Sequence, residues 1–108
     1  LIEPAPRTGA SVSNEFLPCA FWSAPPSGDP HAVTAPGSPA VLVIGNTGDA
    51  ATPYQQAVDV AANLEDGHLL TLDATGHVGS GRSACVDDAS TAYLIDLTLP
   101  AEGTTCEG

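Results

Sequence analysis

Two side chains stand out as able to do chemistry together, Asp49 and His77. A carboxylate held against an imidazole fixes the ring tautomer and stabilises the imidazolium formed during proton transfer, the orienting half of a nucleophilic triad. Each residue also has a plainer use. An aspartate following glycine between a strand and a helix often caps the helix, and a loop histidine can bond its own backbone. Asp73 lies nearer His77 in sequence and competes for the acid role, but it falls at a strand end, on the wrong element for orienting the ring. His31 sits in the Pro-rich stretch GDPHAVTAPGSP and reads as an exposed loop residue, while His68 opens a strand and reads as structural. Neither forms a helical i, i+4 pair or an HExxH spacing, so no metal site is expected.

The elements that must position the pair run from Ala40 to Val78, AVLVIGNTGDAATPYQQAVDVAANLEDGHLLTLDATGHV. Ala40 to Ile44 is a continuous apolar run with β-branched residues, ended by Gly45-Asn46, and reads as a fully buried parallel strand. Asp49 falls in the loop beyond it. Thr52 and Pro53 supply a helix N-cap and a first-turn proline, and Tyr54, Ala57, Val58, Ala61 and Leu64 share one helical face. Gly67 is expected to close that helix, His68 to Leu72 to form a second strand, and Asp73 to Gly79 to form the loop carrying His77. Parallel strands joined by a crossover helix place both post-strand loops at the same sheet edge. Asp49 and His77 can therefore meet.

The strings VLVIGNTGDAATPYQQA and TGHV, followed by SACV, AYLID, TLP and GTTC, resemble the C-terminal part of secreted α/β-hydrolases of the tripeptidyl-aminopeptidase type, over roughly Phe16 to Gly108. The resemblance implies the C-terminal portion of an α/β-hydrolase fold, a short parallel sheet with a crossover helix and a C-terminal helix. It also implies that the GD-x-x-TP loop carries the triad acid, Asp49, and the GH loop the triad base, His77. One departure is Val78, where the family commonly has glycine. The other is the nucleophile. The order serine, acid, histidine requires a GxSxG elbow before Asp49, and none is there. Gly81-Arg82-Ser83-Ala84-Cys85 comes after His77, follows no strand and ends in cysteine where the sharp turn wants glycine. The serine is expected upstream, in a longer enzyme, and these 108 residues alone should not hydrolyse anything by this mechanism.

After His77 a helix is expected from Cys85, with Val86, Ala89, Tyr93 and Leu97 on one face and Asp87 and Asp88 in the first turn, where the helix dipole favours them. Pro100 and Gly103 turn the chain and Cys106 returns towards Cys85. A Cys85–Cys106 disulfide is predicted, and the resembling family has the same two cysteine positions, flanked by the same YL and LP landmarks. Cys19 is left over, as a free thiol or with a partner elsewhere. Three cysteines without CxxC spacing point away from zinc and towards an oxidising compartment, hence a secreted or cell-envelope location.

Composition bounds the rest. Thirteen acidic residues against two arginines and no lysine leave a net charge of −11, which repels nucleic acid and anionic membrane surfaces as partners. The longest apolar run, Ala40 to Ile44, is far too short to span a bilayer. Eight of the ten prolines precede Ala40, so residues 1–39 read as a mostly irregular segment and 40–108 as the part carrying the acid and base. Within the first segment only Glu15 to Trp22 has enough apolar surface to anchor on a core, and Pro18 suggests an extended path there. Leu1 to about Ser13 is either the end of the helical cap that the resembling enzymes insert before the acid-bearing strand or a flexible linker.

The function implied is that of a secreted serine hydrolase, an exopeptidase releasing short peptides from free N-termini, without metal or organic cofactor. Its partners would be a peptide or other acyl substrate and the N-terminal part of the same hydrolase. The residues alone support acyl-bond hydrolysis and no more. The reading of another class is a free-standing, non-catalytic secreted binding or regulatory module, to which the missing serine and Val78 lend support.

Overall fold

The structure, a computed structural model, describes residues 9–108, those of 11–13 as backbone only. The expected cap end therefore lies outside the described residues as far as residue 8. The chain divides after His31 into two units. In the first, α1 spans Gly9–Asn14 and α2 spans Leu17–Ala20. The helical turn of α2 corrects the extended path expected for Glu15 to Trp22. Pro18 occupies the first turn, where its missing N–H leaves no bond unmade, and the Phe21 N–H donates to its carbonyl at 3.2 Å. Phe16, Leu17, Phe21 and Trp22 are exposed, as is Cys19, which lies outside the disulfide.

The second unit is built on a three-stranded parallel sheet in the order β1-β2-β3, with β1 Val41–Gly48, β2 Gly67–Thr75 and β3 Thr105–Glu107. Helix α3, Tyr54–Asn63, crosses from β1 to β2, and α4, Ala84–Asp96, precedes β3. This is the short parallel sheet with crossover and C-terminal helices that the resemblance implies. Both long strands run past their expected ends, and the tail adds a third strand through Thr105 and Cys106, opposite Thr71 and Leu72.

Alternation sorts the sheet's side chains. Leu42, Ile44 and Asn46 of β1 share a face with Leu70, Leu72 and Ala74 of β2, and the core forms there. Leu70, Leu72, Val86 and Cys106 are essentially inaccessible, with Leu42, Ile44, Ala74 and Ala89 packed around them. Each leucine so buried contributes about 1.5–3 kcal/mol. Helix α3 covers the opposite face. Its expected apolar stripe is buried to varying degrees from Tyr54 to Leu64, and the Tyr54 hydroxyl meets Thr71 Oγ1 at 2.7 Å. The run Val41–Ile44 is half-buried rather than fully buried, because β1 pairs with β2 on one side and has no partner strand on the other among the described residues.

Three local expectations change. The helix begins after Pro53, and Thr52 makes no cap bond to it. Gly67 opens β2 instead of closing α3. Its lack of a side chain is needed for close approach, since a Cβ there would collide with the Ala61 carbonyl. Leu97 leaves the buried face of α4. It is the left-handed cap residue, at φ 54°, and its N–H donates to the Tyr93 carbonyl at 2.9 Å. Val86 is buried as expected, and the Tyr93 hydroxyl donates to the Ala40 carbonyl at 2.8 Å, tying α4 to the start of β1.

The disulfide joins Cys85 to Cys106, as expected. It fastens the first turn of α4 to β3, and the Ser83 hydroxyl donates to the Glu107 carbonyl beside it. Among the described residues no helix is long and apolar enough to cross a membrane.

Candidate active site

β1 and β2 are parallel neighbours whose last paired residues are Gly48 and Thr75, so the chain leaves both strands at the same edge. The pairing register shifts between Asn46 and Gly48, and the loop holding Asp49 starts there. Asp49 and His77, 28 residues apart, meet with Nδ1 of the ring 2.9 Å from Oδ2 of the carboxylate.

The two oxygens of Asp49 divide the work. Oδ1 accepts the backbone N–H groups of Ala51 and Thr52 at 2.8 and 2.9 Å, the turn-capping role available to any aspartate before a helix. Oδ2 is left for His77 and for the Thr52 hydroxyl, which donates to it at 2.8 Å. The plain use and the chemical use of this residue therefore coexist. The Asp49 side chain is only 5% exposed. The Thr52 N–H foremost, then His77, the Thr52 hydroxyl and the Ala51 N–H, hold its carboxyl well below the usual carboxylate range, against the opposing pull of burial.

An ionised carboxylate can only accept, so the hydrogen in the contact belongs to His77 Nδ1. Nε2 of neutral His77 is then the free base. The ring is 56% exposed. Thr52 Oγ1, whose own hydrogen goes to Asp49, lies 3.3 Å from the same Nδ1. An open cavity of about 260 Å³ adjoins the pair, with Val43, Ala57, Val60 and Val78 giving it an apolar lining.

The loop bearing the imidazole has an unusual backbone. Gly76 has φ +116° and Val78 has φ +71°, so His77 is flanked on both sides by left-handed conformations. At Gly76 a side chain would strike the Arg82 guanidinium, whose Nη2 donates to the Thr75 carbonyl at 2.6 Å. Val78 is a β-branched residue in a region that favours glycine. Beneath the loop lies Asn46, a polar residue only 4% exposed, donating from Nδ2 to the carbonyls of Gly76 and Val78 at 2.9 and 3.1 Å.

The remaining candidates lie elsewhere. Asp73 accepts the Thr47 hydroxyl at 2.7 Å and makes no contact with His77. His31 Nδ1 lies 3.0 Å from the Asp29 carbonyl, and His68 Nε2 pairs with Asp66 at 2.8 Å. No group of metal-ligating side chains occurs among the described residues.

Two residues of the site have contacts that spacing does not show. Thr52 has the spacing of a helix N-cap, and nothing in that spacing says that its hydroxyl goes to Asp49. Asn46 reads from sequence only as the end of a strand. The signal available was register: 42, 44 and 46 share a face, and a polar residue in the third place of a core-facing row must find buried partners.

Known proteins are similar to this chain over most of its length. The chain is 50% identical over 90 residues to the serine protease Hip1 of Mycobacterium tuberculosis, 82% of this chain and 17% of that protein. Carboxylesterase B of the same species is 39% identical over 89 residues, again 82% of this chain and 17% of the relative. The tripeptidyl aminopeptidase of Streptomyces lividans is 34% identical over 92 residues, 83% of this chain and 17% of the enzyme. The chain thus spans about a sixth of the length of these relatives. The model of the TAP-like protein family within the α/β-hydrolases matches residues 4–106, nearly the whole chain, and it is to this family that the chain belongs.

Proposed function

We propose that this chain supplies the acid and the base of a serine hydrolase whose nucleophile lies outside these 108 residues, and that the intact protein is a peptidase. The observation that carries the reading is the 2.9 Å contact between Asp49 Oδ2 and His77 Nδ1, in a carboxylate whose other oxygen is held by two backbone N–H groups. Such an acid cannot swing away or take up a proton near neutrality. It orients the ring, leaves Nε2 basic, and stabilises the imidazolium that forms.

In the reaction, Nε2 of His77 removes the proton of the serine hydroxyl as its oxygen attacks the substrate carbonyl. The same nitrogen returns the proton to the leaving amine or alcohol. A water, deprotonated by His77 in turn, then releases the acyl group. Asp49 stays ionised throughout. The nucleophile and the oxyanion donors belong to the rest of the protein, so the segment alone is inactive.

Peptide substrates are supported by relatives named as a serine protease and a tripeptidyl aminopeptidase. Ester hydrolysis is the second reading, favoured by the relative named as a carboxylesterase. A location outside the cytoplasm is supported by the Cys85–Cys106 disulfide, which persists in oxidising compartments. The N-terminal part of the same hydrolase is the expected partner of this segment.

The test is to treat the intact native polypeptide with a fluorophosphonate, which traps activated serines, and to compare His77→Ala and Asp49→Asn. One adduct per chain is expected, with turnover abolished by His77→Ala and reduced about 10⁴-fold by Asp49→Asn. Peptidyl and ester substrates in parallel separate the two substrate readings. No adduct would sink the assignment and favour a non-catalytic secreted module, and full turnover in the His77 variant would end the triad assignment.

A further inference from the structure

The Asp49 contact leaves something undetermined. One hydrogen bond to Nδ1 fixes a distance, yet the ring can still pivot about that contact and carry Nε2 away from the nucleophile. The direction of Nε2 depends on where the backbone of residue 77 sits. That backbone lies between two left-handed residues, one of them a valine, and so has no local preference for its observed course. Something outside the loop must hold it.

We propose that Asn46 is the positioning residue for His77. Its amide carries two hydrogens on Nδ2, and the two are spent on the carbonyls either side of the histidine, Gly76 and Val78. The side chain is 4% exposed, so water cannot replace those bonds. The Asn46 backbone carbonyl also accepts the Asp49 N–H at 3.4 Å, so acid and base are referenced to one residue of β1. An apolar residue of similar size would continue the row of Leu42 and Ile44 and fill the space, but it would leave both carbonyls unpaired and the loop free to relax to ordinary φ values. The inference rests on the catalytic reading of Asp49 and His77.

The experiment uses the intact enzyme, with kcat expressed per fluorophosphonate-titrated site so that misfolded molecules are not counted. Asn46→Ala is expected to lower kcat about tenfold to a hundredfold, the cost of displacing a catalytic group by roughly an ångström. KM should change little, because Asn46 acts through His77 and the loop. Should the alanine variant not fold, Asn46→Ser retains one donor and is expected to fall between it and the native protein. A variant with native kcat per titrated site and only a lower melting temperature would overturn the proposal and make Asn46 a purely structural tie. Native turnover in a His77→Ala control would overturn it for the separate reason that there is no catalytic base to position.

Discussion

Removing the disulfide is the sharpest test of how this small core is held. Cys85 and Cys106 are 21 residues apart and join the first turn of α4 to β3. In the chain-entropy treatment a closure of that length restricts the unfolded chain by about 11 cal/mol/K, roughly 3 kcal/mol at 25 °C. Cys106 is also 1% exposed in the cluster of Leu70, Leu72 and Val86, so losing its sulfur leaves a small void worth about 1 kcal/mol more. The double variant Cys85→Ala/Cys106→Ala should therefore lose about 3–4 kcal/mol in the unit that contains the sheet. The loss has an address. β3 pairs with β2 at only three positions, Thr71, Leu72 and Asp73, and without the bridge Ser83 is its main remaining side-chain tie to the start of α4. Urea unfolding of the intact protein gives the magnitude, and hydrogen exchange over residues 104–108 gives the place. Below the transition the pair at the sheet edge should persist, since Asp49 and His77 are held by β1 and the loops rather than by β3. A loss under about 1 kcal/mol, or unchanged protection in β3, would refute the reasoning.

Two further outcomes follow from the site. Because the Asp49 carboxyl is held below the usual range in the folded state, its contribution to stability is complete above the ordinary carboxylate value, near 4, and is lost as pH falls through the folded value. The stability gap between the native protein and Asp49→Asn should thus persist above about pH 4 and shrink only below it, as followed by thermal melts across pH; a gap that closes near neutrality would contradict the bonding described. Val78 at φ +71° carries strain that glycine would not, so Val78→Gly should raise stability by about 0.5–1 kcal/mol after the added entropy of the unfolded chain, measured by denaturant melts. Destabilisation instead would mean that the valine side chain packs usefully enough to outweigh its backbone.

Much of the architecture can be read along the chain, because the signals for it are local. The β-branched run before Gly45, the stripe Tyr54, Ala57, Val58, Ala61 and Leu64, and a second short apolar run are each confined to a few residues, and hydrophobic period is enough to type them. Once two strands and one crossover are accepted, parallel pairing alone brings the loops after them together. The matched strings and the spacing of Cys85 and Cys106 added the family and the bridge. What misled were positions where one residue has two uses. Pro18 opposes a helix interior but suits a first turn, Thr52 can cap a helix or serve a neighbouring carboxylate, and Gly67 can end a helix or admit a close carbonyl.

The chain order therefore determined which residues could meet and at which edge of the sheet, since strand direction and loop position follow from pattern. It did not determine how they are held. That Oδ1 of Asp49 is taken by its own turn while Oδ2 faces the ring, and that Asn46 reaches 30 and 32 residues ahead to the carbonyls around His77, depend on strand register to within one residue. A shift of one would turn Asn46 to the opposite face and leave the His77 loop without its anchor. Hydrogen bonds are short and directional, and apolar pattern carries no information at that scale, so only the packed structure could decide them.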